Sequence, residues 1–250
     1  MLTAAPEGWL WQHEMVREAM APEVDALAQG SGRVRAGFDA LARASLITGT
    51  GEECAMHRMT AAALRAMQEG GTSLAPAAAA LLAAVYPGGA NNPAFNANWP
   101  ACKRLTPHVR ALLASGRAPR IAAMDYLCNQ ASIYLDRMGD HAAQVEAARV
   151  GLEITRERLP EEHREIAIGL ANLGVALRKA GKLPEAEAML AEAVRLDEAH
   201  RPGSSDLADR YDMHGGTLLD LARAGDGAYL DRALRRHQRK HPVGTAVRRP

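Results

Sequence analysis

An internal repeat in the second half of the chain constrains the fold more than any other feature of the sequence. The segment 170–200 reads LANLGVALRKAGKLPEAEAMLAEAVRLDEAH, and the segment that begins LCNQASIYLDRMGDHAAQ at Leu127 matches it. The turn glycines of the two copies, Gly139 and Gly181, lie 42 residues apart, and a looser third copy has Gly225 a further 44 residues along. A period of this size that holds two helices and a turn predicts a helical solenoid.

Small residues stand in each copy where two packed helices would touch. In the two better copies they are Ala131, Gly174, Ala186 and Ala193. Gly181 is suited to ending one helix, and Pro184 to the first turn of the next, where its missing N–H costs nothing. Gln130 and Gln144 interrupt the apolar pattern of the first copy, and Leu218 replaces a small residue in the third. We therefore expect weaker first and third repeats, the third acting as a cap.

Composition and charge predict a folded, cytoplasmic protein. The chain has 250 residues, of which 48% are apolar, and 30 Lys and Arg against 29 Asp and Glu leave a formal charge of +1. No overall field therefore attracts nucleic acid or lipid. Cys54, Cys102 and Cys128 form no disulfide framework and no C-x-x-C motif. No stretch reaches the roughly 18 apolar residues of a membrane span, so we expect no membrane partner.

The first half of the chain predicts helices around one short β-hairpin. Val34, Phe38 and Leu41 follow helical spacing, two short extended runs flank TGTGEE near Leu46 to Met56, and another helix opens at His57. The predicted class is all-α, a helical solenoid preceded by a small winged-helix-like segment. The predicted divisions are 1–70, winged-helix-like; 71–117, a helical spacer; 118–238, the repeats; and 239–250, a basic disordered tail. Within the spacer, PGGANNPAFNANWP predicts a surface loop with Phe95 and Trp99 as its anchors.

Two families resemble parts of this sequence. The tetratricopeptide pattern is similar to Leu173, Gly174, Leu177, Gly181, Ala186, Leu190, Ala193 and Leu196, and the long segment TRERLPEEHREIA resembles the variety found in kinesin light chains. The order AL-x-R-x-S-L-I followed by H-R-M-x-x-A-x-L-R resembles the winged helix of bacterial NB-ARC signal-transduction ATPases of the STAND type. This resemblance implies the sensing half of such an ATPase, truncated or encoded alone, with an NB-ARC-type ATPase as a candidate partner.

The sequence contains few patterns that are typical of catalytic, metal or cofactor sites. No G-x-x-x-x-G-K-[ST] phosphate loop is present, so we expect no nucleotide hydrolysis and no cofactor. His237 and His241 have a chelating spacing but cationic neighbours, which would repel a metal ion. Cys102 and His108, six apart on one helix, would lie on nearly opposite faces. The sequence therefore predicts neither a metal site nor an enzyme.

Two functions remain, of which the first is a non-enzymatic module that binds a protein or peptide in a groove. Asn129 and Asn172 would hold the main chain of an extended peptide, because an amide both donates and accepts; alternatively they only tie neighbouring helices together. The predicted rim of the groove is Asp125, Ser132, Asp136, Arg178 and Lys179. The second function is a nucleic-acid-associated regulator that acts through the winged-helix segment and the basic tail. Salt-dependent retention on DNA would favour it, but the sparse basic residues of MHRMTAAALRAM make nucleic acid the less favoured partner.

Overall fold

Helices make up most of the chain, as the class prediction requires. The computed structural model describes residues 39–44, 47–50, 53–56, 75–114, 118–225, 229–233 and 235. The helices are α1 (Ala75–Val85), α2 (Trp99–Ala114), α3 (Ala122–Met138), α4 (His141–Arg158), α5 (Arg164–Lys179), α6 (Leu183–His200) and α7 (Ser205–Arg223). Short helical runs also cover 39–43 and 229–233. Within these residues no helix is both long and apolar enough to cross a membrane. The all-α class is confirmed.

The predicted hairpin is present. Strands β1 (Ile47–Thr50) and β2 (Glu53–Met56) pair antiparallel, with Ile47 opposite Met56 and Thr50 opposite Glu53. The helix expected to open at His57, the segment 1–38 and the basic tail 239–250 lie outside the described residues. The winged-helix prediction therefore stays a prediction.

The chain divides into two structural units. One comprises 1–90 and 100–127, and the other 91–99 and 128–250. In the first unit α1 buries four alanines, and the hydroxyl groups of Tyr86 and Thr106 lie 2.8 Å apart. In the second unit the end of α3 and the helices α4 to α7 contain the repeats.

Local capping interactions determine where the helices of the repeats begin and end. Gly139 and Gly181 have φ of 73° and 77°, the left-handed region that glycine enters without strain. The Asp140 carboxylate accepts a hydrogen bond from the backbone N–H of Ala143 at 3.1 Å and so begins α4. Pro184 occupies the first turn of α6, as predicted. Each helix pair therefore turns at the residues that the sequence singled out.

The repeat is visible in which side chains are buried. The buried positions of α3 recur 43 residues later in α5 and again 44 residues later in α7. Leu127, Leu170 and His214 share one such position, and Ala131, Gly174 and Leu218 share another. The shift of 44 agrees with the spacing of the turn glycines. Leu218 is fully buried, although the pattern would place a small residue there.

The core of the second unit is made of aliphatic and small residues from α4, α5 and α6. Its buried members include Leu152, Leu170, Leu177 and Leu190, with the predicted small residues Ala186 and Ala193 among them. Gly174 is also buried, and a Cβ built on it would lie 2.6 Å from Cγ of Leu190. The helices α5 and α6 therefore touch where the sequence pattern expected contact.

One predicted anchor of the loop before α2 is wrong. Nε1 of Trp99 donates a hydrogen bond to the carbonyl of Pro93 at 3.1 Å, and the Asn98 side chain donates to the carbonyl of Asn92 at 3.1 Å. Phe95, in contrast, is 61% exposed. The loop is held by Trp99 and by hydrogen bonds of its asparagine side chains, whereas the Phe95 side chain stays largely exposed because no neighbouring element covers it.

Gln130 is a weak point in the packing of α3. Its side chain is buried, and its Oε1 has no hydrogen-bond partner among the described residues. We expect Gln130→Leu to raise the free energy of unfolding by about 1–2 kcal/mol, because a buried acceptor without a partner loses its hydration uncompensated. Urea unfolding with an unchanged slope would measure the gain. Gln144→Leu is the matched control: Gln144 is also buried, but its Oε1 lies 3.2 Å from Nδ1 of His141. An equal gain in both variants would contradict this explanation.

Candidate functional site

The polar residues of interest lie on the face formed by the exposed positions of α3 from Cys128 onward, α5 and α7. We call it the first-helix face, because these helices open the successive pairs. Its positions correspond across the repeats with the same shifts of 43 and 44 residues as the buried ones. One row contains Asn129, Asn172 and Gly216, and a second contains Asp136, Lys179 and Arg223.

Asn129 and Asn172 contact one another and remain exposed. The Nδ2 group of Asn172 donates to Oδ1 of Asn129 at 3.1 Å. That hydrogen bond ties α3 to α5, as the simpler interpretation of the two residues expects. It uses one donor of Asn172 and one lone pair of Asn129, which leaves the NH₂ group of Asn129 and the Oδ1 of Asn172 for another molecule. The two interpretations are therefore compatible.

Lys179 is paired across the repeat. Its Nζ lies 2.5 Å from Oδ1 of Asp136, 43 residues earlier, and both side chains are partly exposed. An exposed pair of this kind adds about 0–1 kcal/mol to stability. Its charges largely cancel, so Lys179 contributes less to the charge of the face than the sequence suggested.

Two predicted rim residues do not join this face. Ser132 is buried, at 6% exposure, because it falls on the side of α3 that packs inward. Asp125 is half-buried and belongs to the other unit. The first-helix face therefore includes neither residue.

Arg178 has the most specific environment on the face. Its Nε donates to Oδ2 of Asp220 in α7 at 2.6 Å. Its guanidinium also lies against Gly216, where a built Cβ would come within 2.7 Å of Nη1 and 3.3 Å of Nη2. Asp220 is shared with Arg223, whose Nη1 lies 3.2 Å from its Oδ1. The guanidinium thus fills the place that a side chain at position 216 would take.

A buried ionic cluster joins α6 to α7. Asp197 is fully buried; its Oδ1 accepts from Nη2 and Nε of Arg201 at 2.5 and 3.0 Å. Its Oδ2 lies 3.4 Å from Nε of Arg210, which is buried as well. Nearby, Arg164 of α5 donates to Asp206 at 2.7 Å. That hydrogen bond lowers the pKa of Asp206, so its stabilising effect is present above the ordinary carboxyl pKa and is lost as pH falls through the lowered one.

The sequence pattern does not mark Gly216, Asp220 or the Asp197 cluster as functional residues. The repeat shift of 44 could have flagged two of them, since it aligns Gly216 with Asn172 and the charged Arg210 with the apolar Ile166. No sequence signal indicates that Arg178 would lie over Gly216. That contact depends on how α7 packs beside α5.

Groups suited to metal binding or nucleophilic chemistry are scarce in the described part of the chain. It contains no cluster of three His, Cys, Asp or Glu residues that could hold a metal ion. His237 and His241 lie outside that part. Cys102 is buried, which raises the pKa of its thiol and makes it a poorer nucleophile, whereas His108 is exposed on the same helix.

Comparisons with known proteins do not assign the chain to a family. No protein-family model matches the sequence, and no curated protein does so either. The tetratricopeptide and NB-ARC resemblances therefore stay predictions.

Proposed function

We propose that the protein is a non-enzymatic interaction module that binds an extended peptide segment of a protein partner across the first-helix face. The observation that carries this proposal is the exposed pair Asn129 and Asn172, bonded to each other across two repeats with hydrogen-bonding groups to spare. Signal transduction with an NB-ARC-type ATPase is the setting that the sequence resemblance suggests.

The chemistry of an amide suits recognition of a peptide main chain. Each residue of an extended peptide offers one N–H donor and one C=O acceptor, and the two point to the same side of the chain. Asn129 can donate to that carbonyl while Asn172 accepts from that N–H, so the pair matches the main chain of one residue whatever its side chain. Because the pair is already hydrogen-bonded, its side-chain order is partly set before a ligand arrives, which reduces the entropic cost of binding.

The helix α5, which carries Asn172, is firmly packed into the core of the second unit. Leu170, Leu173 and Leu177 of α5 are buried in the core of the second unit. Asn172 therefore lies on the exposed side of α5, and the opposite side of this helix is packed into the core. A site on a packed helix holds its geometry better than one on a loop.

The double variant Asn129→Ala with Asn172→Ala tests this function. We expect peptide binding to fall by about five- to thirtyfold, the effect of losing one or two hydrogen bonds of about 1 kcal/mol each, while the melting temperature shifts little because both side chains are exposed. Binding would be measured with peptides selected on the wild-type chain from a random phage library.

The matched control is Arg156→Ala with Glu192→Ala, which removes an exposed cross-helix pair joining α4 and α6. This variant should bind the selected peptides as the wild type does. Lost stability with intact binding in the asparagine variant would show that the two residues only tie the helices together, and would contradict the proposal.

A further inference from the structure

We infer that the exposed side of α2 is a cationic surface that binds the phosphate backbone of a nucleic-acid duplex without regard to its sequence. This surface belongs to the first structural unit, so the inference is independent of the peptide binding proposed for the second. It is also distinct from the two segments through which the sequence suggested nucleic-acid binding, the winged-helix segment and the basic tail.

The charge of this part of the chain is one-sided. No Asp or Glu occurs from residue 70 to residue 124, whereas cations stand at Lys103, Arg104, Arg110, Arg117 and Arg120. Three of these cations lie on α2, which has no carboxylate anywhere along its length. The formal charge of +1 for the whole chain therefore conceals a local excess of positive charge.

The cations of α2 lie away from its packed side. Cys102 and Val109 are among the buried residues of the helix, whereas Lys103, Arg104 and Arg110 are exposed. Lys103 and Arg110 are two turns apart, which places them on the same side of the helix and roughly 10 Å apart along its axis. We call this exposed, cationic side the α2 face. A DNA duplex carries about one negative charge per 1.7 Å of its axis, so the α2 face spans several phosphates.

The stability of the helix does not explain this placement of charge. The helix macrodipole favours carboxylates in the first turn and cations in the last turn. The first turn of α2 has no acidic residue, and its last turn has no basic one. The cations stand between the two ends, where they repel one another. A polyanion bound over them would remove that repulsion.

The other exposed residues of α2 indicate which kind of polyanion fits. They include Pro107, His108, Ala111 and Ala114, and none is a bulky aliphatic residue, Phe, Tyr or Trp. A helix that binds a membrane surface needs bulky apolar residues beside its cations, and a protein interface needs an aromatic or aliphatic anchor. The backbone of a nucleic acid needs only cations that displace its counterions. The α2 face therefore suits nucleic acid better than an anionic membrane or an acidic protein segment.

Binding at the α2 face should not depend on base sequence. The exposed residues of α2 include no Asn or Gln to read adenine, and no Phe, Tyr or Trp on which an unpaired base would stack. The contacts are then with phosphate groups, which every sequence presents alike. Two duplexes of equal length and unrelated sequence should bind with the same affinity.

The test is fluorescence anisotropy of a labelled DNA duplex, titrated with the full chain at a series of salt concentrations. Three neutralised phosphates predict a slope of about −2.7 for the logarithm of affinity against the logarithm of salt concentration. In the double variant Lys103→Gln with Arg104→Gln, the slope should fall to about −0.9, because each lost cation removes about 0.9. Both side chains are exposed, so the melting temperature should not change.

Two control variants isolate the effect of these charges. Arg149→Gln with Arg156→Gln removes the same number of cations from α4, where each pairs with a glutamate of α6, and it should keep the wild-type slope. Lys103→Arg with Arg104→Lys exchanges the two residues and keeps both charges. This variant should bind the duplex as the wild type does.

Several outcomes would overturn the inference. One is a duplex that does not bind even at low salt; another is a slope that the change of Lys103 and Arg104 leaves unaltered, or that the α4 control reduces equally. Binding that is lost in Arg248→Gln with Arg249→Gln, but kept in the α2 variant, would assign the site to the basic tail. Tighter binding to phosphatidylserine vesicles or to a polyglutamate peptide than to the duplex would identify another class of ligand. None of these outcomes affects the peptide-binding proposal.

Discussion

Replacing Asp197 by alanine should lower the free energy of unfolding by about 3–5 kcal/mol, the typical cost of removing one partner of a buried ion pair. Asp197 is fully buried and faces Arg210, whose side chain is only 7% exposed. Without the carboxylate, Arg210 would keep its positive charge in a place that water hardly reaches. Urea unfolding at neutral pH, analysed at constant slope, would measure the loss.

The double variant Asp197→Leu with Arg210→Met separates charge from packing. It removes both buried charges and keeps side-chain volume, and apolar replacements of buried ion pairs are often neutral or stabilising. Arg201 can then turn toward water, since 21% of its side chain is already exposed and it also contacts the carbonyl of Glu162. We expect the double variant to regain most of the lost stability. If it is as unstable as Asp197→Ala, the cluster acts through its shape and hydrogen bonds, not through its buried charge.

An exposed pair provides the reference for both variants. Glu192→Ala removes the partner of Arg156, at 2.8 Å, where both side chains are about two-fifths exposed. Such pairs contribute about 0–1 kcal/mol. The loss of unfolding free energy in Asp197→Ala minus the loss in Glu192→Ala would therefore measure how much burial increases the cost of breaking an ion pair.

Gly174→Leu should lower the free energy of unfolding by about 3 kcal/mol, the upper part of the range for overpacking a core. Even a Cβ at this position would lie 2.6 Å from Cγ of Leu190 and 3.3 Å from the carbonyl oxygen of Ala186. The second contact is with backbone, so α5 and α6 would have to separate. The melting temperature of the variant would measure the effect.

Gly169→Ala is the matched control on the same helix. Its added Cβ would lie 3.1 Å from Cδ1 of Leu152, the far end of a side chain that can move. Alanine also favours a helix over glycine by about 1 kcal/mol, so we expect little net change. A melting temperature unaltered by Gly174→Leu would mean that α5 and α6 are not in contact at this position.

The sequence predicted the elements of the fold well because their causes are local. Gly139, Gly181 and Pro184 act through backbone conformations that depend on a few neighbouring residues. The hairpin near Ile47 and the helix pairs follow from turn residues and apolar spacing. The recurrence of small residues also identified Gly174 and Ala186 as contact positions, because α5 and α6 approach so closely there that an added Cβ on Gly174 would collide with Leu190.

The candidate site was only partly predictable. The repeat alone identifies its two asparagines as a candidate pair, since Asn129 and Asn172 occupy equivalent positions. The surroundings of Arg178 are not marked, because Asp220 and Gly216 belong to another repeat and reach it only through the packing of α7 on α5. Ser132 and Phe95 were misplaced for the same reason: one side of a helix, or one residue of a loop, becomes buried only when a neighbour covers it.

The sequence by itself determined the helix pairs, their turns, the period of the repeat and the short hairpin, because backbone preferences and apolar spacing act within a few residues. Only the tertiary structure decided which charges pair. Asp197 meets Arg210, and Arg178 meets Asp220, 42 residues along the chain. Ion pairing depends on distance in space and on exclusion of water, and neither quantity is set until the helices have packed.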